Sequence, residues 1–125
     1  MSTDKYLGRP IKRVEDPRLL TGHGQYIDDI VLPGMAHAAV LRSDRAHARI
    51  KRIDTSKAKA LAGVYLVLTG AEAKEMTGAT AQFASPPVVQ YCMAVDRVRH
   101  VGEAVAAVVA ENRYVAEDAC DLIEV

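Results

Sequence analysis

Val98-Arg99-His100-Val101-Gly102-Glu103-Ala104-Val105-Ala106-Ala107-Val108-Val109-Ala110-Glu111 decides how the rest of this chain is read. A polar lead-in and a glycine precede seven small or β-branched apolar residues, a run too short to cross a membrane. Val105, Val108 and Val109 suit a strand covered on both faces, and Gly102 permits a sharp turn or a close approach. The strand is expected over Glu103 to Ala110. Asn112 then offers an N-cap, and Val115, Ala116, Ala119 and Ile123 share one face at helical spacing. Leu122-Ile123-Glu124-Val125 reads as the opening of a further strand, a place where a natural domain seldom ends.

Working back towards the N-terminus, Ala94 to Val98 is a short strand candidate, and Thr77 to Pro87 thins to Gly, Ala, Thr, Ser and Pro and reads as a loop. Val64 to Leu68 predicts a buried strand, with short helices over Ser56 to Ala62 and Ala71 to Met76 on either side. Asp54, Thr55 or Ser56 would cap the first of these helices, and Gly63 would stop it. Ala36 to Arg42 and His47 to Ile53 read as strands around a Ser43–Ala46 turn. Gln25 to Asp29 is a possible short strand closed by the Leu32-Pro33-Gly34-Met35 turn, and residues 1–24 read as an irregular arm lying across a neighbouring surface. The order of elements indicates mixed α and β.

Composition sets the limits. At 125 residues, half of them apolar, the chain is long enough for one folded domain. It has no Trp and a single Phe, so its core must be built from closely packed small side chains. Charge is zero overall but uneven: residues 1–52 carry ten Lys/Arg against six Asp/Glu, and residues 53–125 the reverse balance of six against ten. No basic, aromatic-bearing face emerges, which argues against nucleic acid as the main partner. The basic half fits a solvated face or a surface that docks an acidic protein. The N-terminus lacks an apolar signal segment and no membrane span is present, so a cytoplasmic location is expected.

Few residues carry chemistry. Gly22-His23-Gly24 lacks the third glycine and the preceding strand of a dinucleotide site and reads as a turn. His23, His37, His47 and His100 form no zinc-type spacing, although His37 and His47 would approach each other if their strands paired as a hairpin. Adjacent Asp28 and Asp29 suit turn or capping use. Glu103 is the one carboxylate beside the apolar run, and reads as a rim residue before a functional acid. Ser43, Ser85 and Thr69 lack base and orienting partners. Cys92 and Cys120 are isolated thiols of a reducing compartment.

Taken together, several segments resemble one enzyme family. They include Gly8-Arg9-Pro10, Leu19-Leu20-Thr21-Gly22, Tyr26-Ile27-Asp28-Asp29, Leu32-Pro33-Gly34-Met35, Val67-Leu68-Thr69-Gly70, Arg99-His100-Val101-Gly102-Glu103 and Ala116-Glu117-Asp118-Ala119. The pattern is similar to the N-terminal domain of the molybdopterin-binding large subunit of the xanthine dehydrogenase/aldehyde oxidase family, of the type of the bacterial aerobic carbon monoxide dehydrogenase large chain and related hydroxylases. Ala62 and Ala104 stand where many relatives have proline, and His100 where an aromatic is common.

The resemblance implies an α+β fold, the α/β-hammerhead, with a mixed sheet and short helices over residues 25–125 behind the 1–24 arm. It also implies a parent enzyme that hydroxylates a carbon centre, or oxidises carbon monoxide, with water as oxygen source. Molybdenum on a pterin would do that chemistry in the parent subunit, with 2Fe–2S clusters and FAD on companion domains or subunits. The family's pterin loops and catalytic glutamate lie downstream, so no residue of this chain is assigned a catalytic, cofactor-binding or metal role. The expected function is that of a structural and docking module, inactive alone, whose partners are the rest of the subunit and the iron–sulfur and FAD chains. A free-standing small-molecule or protein-binding domain is the alternative. A hydrolase using Glu103 and a histidine is a remote third.

Overall fold

The valine-rich run becomes the middle strand of a three-stranded antiparallel sheet. The computed structural model describes residue 8, residues 10–79 and residues 89–125. Contacts divide the chain into two units, Met1–Gly34 and Met35–Val125.

In the first unit, Asp16–Leu20 forms a short helix (α1) with Pro17 in its first turn and no buried residue. Arg13 N–H donates to the Asp16 carboxylate at 3.0 Å, and the Thr21 hydroxyl closes the helix on the Pro17 carbonyl at 2.6 Å. The irregular reading of residues 1–24 missed this helix. The possible strand over Gln25 to Asp29 is also replaced, by a single 3-10 turn over Ile27–Asp29. Asp29 drives the change, because its carboxylate accepts the Tyr26 N–H at 2.8 Å, the capping use expected of this aspartate pair.

The second unit runs β1 (His37–Arg42), β2 (Ala48–Arg49), α2 (Ser56–Ala60), β3 (Val64–Thr69), α3 (Gly70–Thr77), β4 (Arg97–Val98), β5 (Ala104–Ala110) and α4 (Arg113–Asp121). Its strands make two sheets, β1-β5-β3 and β2-β4, with every pairing antiparallel. The hairpin considered for residues 36–53 does not form. Past β1, Ser43 N–H donates to the Glu103 carbonyl at 2.9 Å and Gly102 N–H to the Ser43 carbonyl at 2.8 Å. That exchange commits β1 to β5 and leaves β2 to pair with β4, so His37 lies opposite Ala110 and not His47. Gly102 makes the exchange possible, with φ +87° in the left-handed region. The expected strand over His47 to Ile53 shortens to Ala48–Arg49 for the same reason.

The core is built from small side chains, as composition required. Ala58, Val67, Ala106, Val108, Ala119, Cys120 and Ile123 form its main cluster, between the sheet and helices α2 and α4. No Phe, Tyr, Leu or Met is among the fully buried described residues. Ala94, Val98 and Val105 make a smaller cluster. The central strand is covered less evenly than its sequence suggests: Ala106, Val108 and Ala110 are buried, whereas Ala107 and Val109 are half-buried. Likewise β3 is an edge strand with Tyr65 and Leu66 exposed, because a register shift between Val64 and Leu66 leaves Tyr65 unpaired. Most of the loop read over Thr77 to Pro87 lies outside the described residues.

Candidate functional site

Glu103 closes a turn. One of its carboxylate oxygens accepts the Arg99 backbone N–H, and the other lies 3.6 Å from the Arg99 guanidinium. With its side chain 18% exposed, it is a rim residue, and no described histidine bonds to it. His100 Nδ1 instead lies 3.1 Å from the Val101 carbonyl oxygen. Glu103 and a histidine therefore form no acid–base pair.

The hydroxyls have local roles. Ser43 Oγ accepts the Arg45 N–H at 2.9 Å, and Thr69 Oγ1 caps α3. Ser85 lies outside the described residues. Among the described residues, no three His, Cys, Asp or Glu side chains are grouped to hold a metal ion, and no polar or charged residue is buried. A pterin needs buried hydrogen-bonding groups to orient it. The described residues do not fit that cofactor.

What the second unit does present is surface. The first feature is a groove of about 710 Å³ between the end of β1, the segment from Ala48 to Arg52 and the last three residues. Leu41, Val98, Val105 and Ile123 give it an apolar floor, and Arg42, Arg45, Arg49, Lys51 and Arg52 line it against only two carboxylates, Asp44 and Glu124. Asp44 pairs with Arg45 at 3.3 Å. Glu124 pairs with Lys57 at 2.5 Å and reaches Arg52 at 4.0 Å. That pairing raises the Lys57 amine above its ordinary range, while the Ser56 hydroxyl and N–H hold Asp54 below the usual carboxylate range. Among the described residues, Arg49 and Lys51 have no ion pair.

The second feature is an apolar sheet face. Register aligns Ala38, Val109 and Leu66 in one row across the three strands, and Val40, Ala107 and Leu68 in the next. Val40 and Leu66 remain 42% and 44% exposed on this face. The basic half of the sequence carried a signal for the groove, but nothing in it showed that Ile123–Val125 would complete the wall. The open face was hidden because alternation in β5 is masked by a run that is apolar throughout.

Residues 21–125 match the model of the aldehyde oxidase and xanthine dehydrogenase a/b hammerhead domain. The chain belongs to this family. The hammerhead domain is 46% identical over 125 aligned residues to the nicotine 6-hydroxylase large subunit of Paenarthrobacter nicotinovorans, covering 97% of this chain and 15% of that protein. It is 49% identical over 122 residues to the carbon monoxide dehydrogenase large chain of Afipia carboxidovorans, covering 95% and 15%. A crystal structure of a Cu,Mo-CO dehydrogenase superposes with a TM-score of 0.81 at 49% identity, over 94% of this chain and 15% of that one. This hammerhead domain thus spans about 15% of the length of these relatives. The α+β fold with short helices is that of these neighbours, and no described helix is long and apolar enough to cross a membrane.

Proposed function

We propose that this hammerhead domain is a structural and docking module of a molybdenum hydroxylase large subunit, with no catalytic part of its own. The observation that carries this reading is the pairing of a family match over residues 21–125 with an interior that, among the described residues, holds no buried polar or charged side chain. A domain with such an interior contributes shape and contact area, and leaves proton and electron chemistry to other parts of an enzyme. No residue here is a catalytic, pterin-binding or metal-binding group. The parent enzyme carries out oxidative hydroxylation of a carbon centre, or oxidation of carbon monoxide, with water as oxygen source and molybdopterin as cofactor. The partners are the rest of the large subunit together with iron–sulfur and FAD chains in the cytoplasm. Residues 1–24 serve as the arm that lies on a neighbouring surface, and residues 25–125 form the module.

A domain graft tests this. Placing these 125 residues in the Afipia carboxidovorans large chain, in place of the 122 matched residues, should give an assembled complex that retains molybdenum and oxidises carbon monoxide. A soluble chimaera that assembles normally but loses its molybdenum would overturn the reading, since it would place cofactor-holding groups in this segment.

A further inference from the structure

We draw no further inference here: the strongest candidate, the apolar face of the β1-β5-β3 sheet on which Val40 and Leu66 stay exposed, carries none, because nothing in the structure shows what covers it.

Discussion

A Cβ atom placed on Gly70 would stand 1.8 Å from the carbonyl oxygen of Ala94. The start of α3 thus touches backbone directly, and Ala94 is tied in turn to the central strand by its N–H to the Ala104 carbonyl at 2.8 Å. Both residues are buried. No side-chain rotation relieves this contact, because the opposing atom is main chain. Gly70→Ala should therefore lower stability by roughly 3 kcal/mol, the upper end of overpacking costs, read from the urea midpoint. An unchanged midpoint would show that the two segments are not in contact.

The same helix start carries a pH dependence. Glu72 accepts the Thr69 N–H at 2.7 Å and the Thr69 hydroxyl at 2.8 Å, which completes a capping box and holds its carboxyl below its ordinary value of 4.5. Backbone bonding is the larger cause, the hydroxyl the next. Because folding lowers this pKa, the folded state binds fewer protons than the unfolded one, and the contribution is present above 4.5 and lost as pH falls below it. The side chain is 43% exposed, so the effect is modest. Glu72→Gln should be less stable than the parent at neutral pH, and the gap should close on acidification when both are followed by thermal melts.

The two thiols should separate cleanly. Cys92 is exposed, whereas Cys120 is buried, and desolvation pushes its thiol up, with Asp121 and Glu117 adding to the rise. A chromogenic disulfide reagent at mildly alkaline pH should titrate one thiol in the native protein and two in denaturant. Rapid reaction of both in the native state would contradict the packing of α4 on the sheet.

Asn112 provides a check on α4 itself. Its side-chain oxygen accepts the Val115 N–H at 2.9 Å, in the N-cap position. Asn112→Ala should cost about 1 kcal/mol, and Asn112→Asp much less, since aspartate caps equally well.

Local signals were legible where one side chain decides the backbone. Asn112 marked the start of α4, Thr69-Gly70 the end of β3, and the apolar run from Ala104 to Ala110 the central strand. The lack of Trp and the single Phe pointed to a core of small side chains, and Ala and Val make up most of it among the described residues. Pairing was not legible. Residues 43–46 look like a hairpin turn, and only the long-range bonds to Gly102 and Glu103 show that β1 is committed elsewhere. The helix predicted to reach Ala62 ends at Ala60, because Leu61 turns extended to pack on the core, a tertiary demand that propensity does not encode. The groove escaped for the same reason, since its walls come from segments some seventy residues apart in sequence.

The central claim is that this hammerhead domain supplies structure and contact to a molybdenum enzyme and none of its chemistry. Elemental analysis of the purified 125-residue chain, made in a host that synthesises molybdopterin, tests it most directly. The account predicts a chain that melts cooperatively, contains no stoichiometric molybdenum and supports no dye-linked oxidation. One molybdenum per chain would contradict it.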